Sequence, residues 1–266
     1  MERISEGITL ITGASGGIGR ELARLHTKHC DHLILLGRTQ EHLDELKEEL
    51  LRDNDCLRVD AIAIDLSKPG VADEVYEMLR KKGIDLDFLI NNAGFGDFGE
   101  FVDAPWNKIE HMMYLNMVTL SRLTQLYAKD MAKRGKGKIM NVASIGAFVP
   151  GPLMAAYYAT KAYVLHFSEA LNNELEGTGV TVTALCPGPT LSGFQMRAGI
   201  EKTELYKNKS FATPKQVAEF GHEAMLRGQP VAIHRFRNRV WVFFVRIAPR
   251  SVVVKIMRRL LEKRRA

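Results

Sequence analysis

Short apolar runs alternate with amphipathic stretches along nearly the whole chain. The runs cover residues 8–11, 33–36, 59–64, 86–90, 138–142, 180–185 and 231–233. Most of them lack the polar alternation of a half-exposed strand. Each run is therefore expected to form a β-strand that is covered on both faces.

The segments between these runs have helical periodicity. They cover residues 17–29, 40–51, 71–81, 106–133, 153–176 and 214–227. Leu43, Leu46 and Leu50, for example, recur at the spacing of one helix face, with acids and lysine elsewhere. This alternation predicts an α/β fold, a Rossmann-type doubly wound parallel sheet of about seven strands with helices on both faces.

Length and composition are typical of a globular protein. The 266 residues are 46% hydrophobic and 26% charged, which argues against a disordered chain. Because the sequence contains no Pro/Gly/Ser-rich linker and no internal repeat, residues 1–228 are expected to form a single dinucleotide-binding and catalytic domain. Residues 229–266 would then supply the last strand and a basic amphipathic C-terminal extension.

The number of cysteines and the lengths of the apolar runs indicate the cellular compartment of the protein. No apolar run approaches the ~20 residues that span a bilayer, and residues 1–7 lack a signal-peptide pattern. Cys30, Cys56 and Cys186 are too few for a disulfide framework. We therefore expect a cytoplasmic protein with reduced thiols.

The net charge of +6 is unevenly distributed. Residues 227–266 hold 12 Lys and Arg against the single acid Glu262, a balance of +11, which leaves −5 for the rest. Residues 252–265 also read as a helix with one apolar face. That helix would either lie on an anionic membrane surface, giving a peripheral membrane contact, or pack on the body or a second subunit. Nucleic-acid binding is not expected, because no reading motif accompanies the charge.

A glycine-rich turn follows the first predicted strand and precedes the first predicted helix. It reads Thr-Gly-Ala-Ser-Gly-Gly-Ile-Gly over residues 12–19. Glycines at this position let the backbone turn tightly and approach a pyrophosphate, which then faces the helix N-terminus. The turn predicts a dinucleotide site with contacts from Gly13, Ser15, Gly17, Ile18 and Gly19.

The end of the second predicted strand indicates which dinucleotide binds. An NAD site normally places a carboxylate there for the ribose hydroxyls, but this chain has Gly37-Arg38-Thr39. A guanidinium can form a forked, charge-assisted pair with a 2′-phosphate. We therefore expect NADP(H) as the cofactor, bound partly by Arg38.

Carbonyl chemistry suggests a catalytic group. Reduction by hydride needs a proton donor at the developing alkoxide, and a neighbouring ammonium lowers the pKa of a tyrosine toward neutrality. Tyr157 and Lys161 are four residues apart in a predicted helix, so both project from one face. Ser144 follows a predicted buried strand, at the sheet edge where ligands bind.

Further motifs follow in order: Asp65, Asn-Asn-Ala-Gly at residues 91–94, Asn116, Ser144, Tyr157-x-x-x-Lys161 and Pro-Gly at residues 187–188. Together with the turn, they make residues 8–227 resemble the compact short-chain dehydrogenase/reductase family. Residues 95–101 and the basic C-terminus look similar to the broad-specificity reductase branch, which is related to hydroxysteroid and 3-ketoacyl reductases. Ser192 is a mild departure, since the family often has threonine there.

The resemblance implies roles for these residues. Tyr157 is expected to be the acid/base, Ser144 to stabilise the substrate oxygen, and Lys161 to lower the tyrosine pKa and bind the ribose. The Asn116 backbone carbonyl would hold a water that links Lys161 to solvent. Considered without the family, Asn116 is a polar residue in a helix interior that bends the helix.

The resemblance also implies further contacts to the dinucleotide. Asp65 is expected to hold the adenine ring. The remaining contacts are expected from Asn92, Ala93, Gly94, Pro187, Gly188 and Thr190.

The substrate is expected to be a small apolar carbonyl compound or alcohol, such as an acyl chain or a steroid-like ring. A loop over residues 190–211, with Phe194 and Met196, would face Phe148, Val149, Leu153 and Met154. The same side chains also suit a core. Family relatives commonly form a homodimer or homotetramer through their two longest helices. The alternative to an enzyme is a non-enzymatic NADP(H)-binding sensor or scaffold with the same fold.

One histidine and cysteine cluster resembles a metal site only superficially. His26, His29, Cys30 and His32 lie close in sequence, but their spacing fits no standard zinc finger. No metal is expected.

Overall fold

The computed structural model of the chain describes residues 7–54, 56–206 and 211–262. Within them lies one seven-stranded sheet in the order β3-β2-β1-β4-β5-β6-β7, with every pairing parallel. The strands are β1 (Ile8–Thr12), β2 (His32–Gly37), β3 (Arg58–Ala63), β4 (Phe88–Asn91), β5 (Gly137–Val142), β6 (Val180–Cys186) and β7 (Val231–Ile233). The predicted doubly wound sheet is confirmed.

Helices connect the strands and cover both faces of the sheet. They are α1 (Gly17–His26), α2 (Gln40–Asp53), α3 (Val71–Lys81), α4 (Trp106–Met113), α5 (Leu120–Arg134), α6 (Ala155–Glu174), α7 (Phe194–Ala198), α8 (Pro214–Leu226), α9 (Phe236–Ile247) and α10 (Arg250–Leu261).

Side chains alternate between two cores along each strand. On β1, Ile11 joins the core formed with α1, α2 and α8, whereas Leu10 joins the core formed with α3 and α5. All six residues of β2 are buried. A strand covered on both faces needs apolar residues in both alternating sets, which explains the unbroken apolar runs in the sequence.

The segment predicted as one helix over residues 106–133 is divided. Helices α4 and α5 are separated by a π-helical turn over Tyr114–Thr119. Asn116 lies in this turn and is fully buried. The apolar periodicity continues through the turn, so the pattern alone did not separate the two helices. Insertions of this kind often occur at functional sites.

Two helix ends and the C-terminal region also differ from expectation. Helix α1 ends at His26 rather than residue 29, and α6 begins at Ala155, after Leu153 at a positive φ of 67°. Helix α9 was not predicted. Residues 263–265 of the predicted amphipathic segment lie outside the described part of the chain. No helix of the described residues is both long and apolar enough to cross a bilayer.

Candidate active site

A cleft of about 1100 Å³ lies at the carboxyl ends of the strands. Strands β1 and β4 are neighbours there, and the chain continues from them toward opposite edges of the sheet. This is the switch point at which open α/β sheets bind ligands. Of the predicted catalytic and cofactor-binding residues, all line this one cleft except Gly19 and Asn116.

The turn after β1 is held against the end of β4. The Asn92 side-chain amide donates to the carbonyls of Thr12 and Gly13, both at 3.0 Å. The Thr12 hydroxyl accepts hydrogen bonds from the backbone N–H groups of Asn92 and Ala93, at 3.0 and 2.9 Å. These bonds fix the floor of the cleft between two adjacent strands.

Glycine is required where this turn meets its neighbours. Gly13 has a φ of 65°, and a Cβ on it would lie 2.9 Å from the Ala93 Cα atom. A Cβ on Gly19 would lie 2.5 Å from the Asn92 side-chain nitrogen and still closer to the Gly13 carbonyl. Gly19 therefore packs helix α1 on the turn, which explains why it does not line the cleft.

A second close approach borders the part of the cleft that Lys161 lines. A Cβ on Gly94 would lie 3.4 Å from Lys161 Nζ and 3.1 Å from Asn116 Oδ1. The absence of a Cβ at Gly13 and Gly94 thus lets neighbouring groups pack closely on the backbone, which forms a cradle beside the cleft. This cradle fits a bound dinucleotide, because its backbone can approach the pyrophosphate and ribose without a side chain intervening.

Arg38 and Asp65 line one end of the cleft, beyond the turn. The Asp65 carboxylate accepts hydrogen bonds from the Ser67 backbone N–H at 3.0 Å and the Ser67 hydroxyl at 2.7 Å. Burial raises the Asp65 pKa, but these bonds and the positive charge of Arg38 outweigh it and hold the pKa below its usual value. Thr39 and His42, which the sequence did not single out, line the cleft beside Arg38.

Ser144 is positioned at the end of β5. It begins a short 3₁₀ turn over Ile145–Phe148, and its hydroxyl oxygen accepts a hydrogen bond from the Gly146 N–H at 3.0 Å. The Ile145 N–H donates to the Pro187 carbonyl at 2.9 Å, which ties this turn to the loop after β6. Because the serine oxygen acts as acceptor within the turn, its hydroxyl proton can be donated into the cleft.

Tyr157 lies in the first turns of α6, and its side chain is buried against aromatic neighbours. Its ring centre lies 5.2 Å from that of Phe194 and 5.8 Å from that of Tyr158. Tyr158 packs closely over Gly151 and also lines the cleft. The packing limits the rotamers of Tyr157 and holds its hydroxyl in one place.

Lys161 follows one helical turn later and is 5% exposed. Its Nζ donates a hydrogen bond to the Val142 carbonyl at 2.7 Å and lies 5.9 Å from the centre of the Tyr157 ring. Burial lowers the pKa of Lys161 to about 8. The group is therefore mostly an ammonium at neutral pH, although its charge is costly there.

Asn116 supports this arrangement from behind the cleft. Its side-chain oxygen accepts from the Phe95 N–H at 3.2 Å, and its nitrogen donates to the Phe95 carbonyl at 2.9 Å and the Thr160 hydroxyl at 3.1 Å. The π-helical turn thus brings a buried amide between the chain after β4 and the residue before Lys161.

The other end of the cleft carries a cluster of apolar side chains, and the charged residues Arg197, Glu204, Arg235 and Arg237 also line the cleft. Its lining includes Phe95, Val149, Met154, Phe194, Trp241, Met257 and Leu260. Met196 was expected here but is 69% exposed, because α7 turns it away from the cleft. Phe148 and Leu153 are not among the lining residues either. Residues 207–210 of the predicted substrate loop lie outside the described residues.

Helices α9 and α10 contribute residues that the sequence did not assign to the site. Asn238 packs so closely on Gly188 that a Cβ there would lie 2.5 Å from its side-chain nitrogen. The apolar face of α10 was expected either to lie on a membrane surface or to pack on the body or a second subunit. Val253, Met257 and Leu261 are buried in the core that contains Tyr157, so this face packs on the body. The pattern gave no information about which surface that face would cover.

The histidine cluster lies away from the cleft. His26 Nε2 is 3.1 Å from His222 Nδ1, and His26 Nδ1 is 3.2 Å from the Thr9 hydroxyl. His32 instead pairs with Asp60 at 3.0 Å. Within the described residues, no group of three or more His, Cys, Asp or Glu side chains is arranged to hold a metal ion.

The parallel sheet, the glycine turn after β1 and the switch-point cleft define a dinucleotide-binding α/β protein. Residues 7–203 match the short chain dehydrogenase family, and the chain belongs to this family.

Relatives and solved structures agree with this assignment. The chain is 31% identical over 182 residues to the very-long-chain 3-oxoacyl-CoA reductase of Homo sapiens, a match covering 67% of this chain and 57% of that protein. It is 32% identical over 183 residues to the 7beta-hydroxysteroid dehydrogenase of Collinsella aerofaciens, covering 69% and 68%. The short-chain dehydrogenase from Sphingobium yanoikuyae in complex with NADPH superposes with a TM-score of 0.79 at 31% identity, covering 90% and 93%.

Proposed function

We propose that this protein is an NADP(H)-dependent oxidoreductase that transfers a hydride between the nicotinamide and a carbonyl or secondary alcohol. The observation that carries this proposal is that Ser144, Tyr157 and Lys161 line the same cleft as the glycine turn. The NADPH complex of the Sphingobium yanoikuyae relative supports the cofactor, as does the absence of a carboxylate at residues 37–39.

The lining of the cleft supports the proposed cofactor contacts. We propose that the turn over residues 13–19 holds the pyrophosphate, that Arg38 pairs with the 2′-phosphate, and that Asp65 accepts from the adenine. Asn92, Ala93 and Gly94 would form the floor, whereas Pro187, Gly188 and Thr190 would hold the carboxamide. When bound, NADPH supplies the hydride for reduction of the carbonyl carbon.

The chain's own residues would manage the proton and the oxygen. In reduction, the Tyr157 hydroxyl donates its proton to the carbonyl oxygen while the Ser144 hydroxyl donates a hydrogen bond to the same oxygen. The Lys161 ammonium lowers the pKa of the Tyr157 phenol and would also bind the ribose. Asn116 acts as a positioning residue, because its side chain ties residue 95 to residue 160.

We propose an apolar substrate, an acyl chain or a steroid-like ring. The aromatic and methionine side chains at one end of the cleft support this, since they provide apolar surface for such a ligand. The names of the human and Collinsella aerofaciens relatives point to the same two classes.

The test is NADPH consumption with a panel of ketones, beginning with 3-ketoacyl thioesters and ring ketones. Turnover of at least one apolar ketone with NADPH is the expected result. Binding of NADPH without turnover across the panel would instead favour the sensor or scaffold.

Location and assembly are finer parts of the proposal. We propose a cytoplasmic protein with peripheral membrane contact, supported by three unpaired cysteines and the basic C-terminal region. We also propose a homodimer or homotetramer through α5 and α6. Tyr163 on α6 is exposed there, stacks on Phe167 and hydrogen-bonds to Ser121 at 2.9 Å.

Residues 229–266 would extend the single domain of residues 1–228, since α9 and α10 add to the cleft wall.

A further inference from the structure

Helix α9 presents an apolar stripe to solvent. Phe236, Val240, Phe243, Phe244 and Ile247 are between 37% and 78% exposed. Their spacing of three and four residues places all five on one face of the helix. Contiguous exposed apolar surface of this kind marks an interaction site.

The opposite face of α9 is anchored to the body. Val242 is buried, and Trp241 and Val245 pack against the core that contains Tyr157. The Asn238 side chain contacts Gly188 and donates to the His234 carbonyl at 2.6 Å. Because this inner face is packed, the outer stripe has a fixed orientation relative to the cleft.

Arginines border the stripe on both edges. At 100° per residue, Arg237 falls on one edge, and Arg239 and Arg246 fall on the other. The guanidinium of Arg239 lies 5.8 Å from the Phe220 ring centre, and that of Arg246 lies 5.8 Å from the Phe148 ring centre. Arginines beside an apolar face can cover it with their stems while their charged ends reach lipid phosphates.

The positive charge of the C-terminal helices indicates which kind of partner binds to the stripe. Residues 235–261 hold eight Lys and Arg and no acid, whereas residues 1–226 carry a net negative charge. None of Arg237, Arg239 and Arg246 has a carboxylate partner among the described residues. A second copy docked on this face by two-fold symmetry would place arginines against arginines. An anionic lipid surface would bury the apolar side chains of the stripe and pair with the positive charges beside it.

Helix α9, which carries the stripe, also lines the apolar end of the cleft together with α10. Trp241 of α9 and Ile256, Met257 and Leu260 of α10 line the cleft. We propose that α9 is a docking helix that lies on an anionic membrane surface and brings the apolar end of the cleft, which its inner face lines, close to the lipid. The second part rests on the proposed function, since it identifies the substrate as an apolar carbonyl compound dissolved in lipid.

The test uses the full chain and two kinds of vesicle, phosphatidylcholine alone and an equal mixture of phosphatidylcholine and phosphatidylserine. The wild-type protein is expected to sediment with the mixed vesicles and to be released by salt. Phe243→Glu combined with Phe244→Glu should weaken that binding by about tenfold or more. Ile247→Ser, a milder change on the same stripe, should weaken it by a smaller factor.

Two controls separate docking from folding and from catalysis. Val102→Glu places a carboxylate on an 87% exposed apolar residue outside α9 and should leave vesicle binding unchanged. Neither Phe243 nor Phe244 lines the cleft, so their variants should bind NADPH and reduce a water-soluble ketone as the wild type does. Their rate should fall only for a ketone dissolved in the vesicles.

Specific results would overturn the proposal. Equal sedimentation of wild type and stripe variants, equal binding to both kinds of vesicle, or the same loss in Val102→Glu would each exclude docking through α9. Dissociation of an oligomer by the stripe variants without vesicle binding would assign the stripe to a second copy. If vesicle binding follows the prediction but no ketone is reduced in any form, the docking stands and the proposed function fails.

Discussion

The side-chain nitrogen of Lys161 lies 5.9 Å from the centre of the Tyr157 ring and donates a hydrogen bond to the Val142 carbonyl. The bond fastens the end of the lysine to the end of β5, one residue before Ala143 and two before Ser144. The proposed proton donor, its cation and the oxygen-binding serine are thus connected through one strand and one helix. Such groups are held in place before any ligand binds.

The first prediction concerns pH. The pKa of Lys161 lies at about 8 because the group is buried, so its positive charge is present below that pH and lost above it. Without the charge, the Tyr157 phenolate loses the neighbouring cation that stabilises it, and kcat/KM for ketone reduction should fall above about pH 8. The measurement is kcat/KM across neutral and alkaline pH. A value that stays constant well above this pH would contradict the role given to Lys161.

The second prediction concerns the glycine turn and has a control within the same turn. Gly19→Ala places a Cβ against the Gly13 carbonyl and 2.5 Å from the Asn92 amide, which should cost about 1–3 kcal/mol of stability and weaken NADPH binding. A Cβ on Gly16 would meet nothing within 4 Å, and Gly16 has an extended φ of −172°. Gly16→Ala should therefore fold like the wild type. Thermal unfolding and NADPH titration of both variants are the measurements. Equal stability and equal NADPH affinity of the two variants would contradict the role given to Gly19.

The third prediction concerns the choice of dinucleotide. Arg38→Asp removes the proposed partner of the 2′-phosphate and introduces a repelling charge. The preference for NADPH over NADH should fall by about 10–100-fold. Arg52→Asp, the same change at the exposed end of α2, should leave the preference unchanged. The ratio of kcat/KM for the two cofactors is the measurement, and an unaltered ratio in Arg38→Asp would remove the argument for NADP(H).

The fourth prediction concerns stability in acid. Burial, with a further contribution from His29, lowers the pKa of His222 to about 4, and burial also lowers that of His26. Below the ordinary pKa of about 6.5, the unfolded chain takes up protons that the folded chain does not. The folded state should therefore lose about 2 kcal/mol between about pH 7 and pH 5 through His222 alone.

Urea unfolding at both pH values tests this prediction. His222→Gln should reduce the loss, whereas His166→Gln should not, because His166 is largely exposed on α6. An unchanged loss in His222→Gln would show that other groups account for the acid sensitivity.

The sheet and the turn were predictable because their determinants are local. The apolar runs give all seven strands to within two residues at each end, since a strand buried on both faces leaves no polar alternation. The glycine pattern placed the turn, because Gly13 and Gly19 meet backbone atoms that no side chain allows. The positions of Tyr157 and Lys161 followed from helical spacing.

The features of the site that the sequence did not predict depend on contacts between distant parts of the chain. The π-helical turn lies where the Asn116 side chain hydrogen-bonds to residues 95 and 160. Both partners are distant in sequence, so the sequence of residues 106–133 alone does not predict these bonds. Asn238 reaches the cleft because α9 packs on the loop after β6, and no local pattern encodes that contact. Met196 has the composition of a substrate contact but points outward, since composition carries no direction.

The most direct test of the account is Tyr157→Phe, which removes one hydroxyl and keeps the ring packed against Phe194. NADPH binding, followed by fluorescence titration, should remain close to that of the wild type. Ketone turnover should fall by about 10²–10⁴-fold, because the proton donor is gone. Turnover near the wild-type rate would contradict the proposed mechanism.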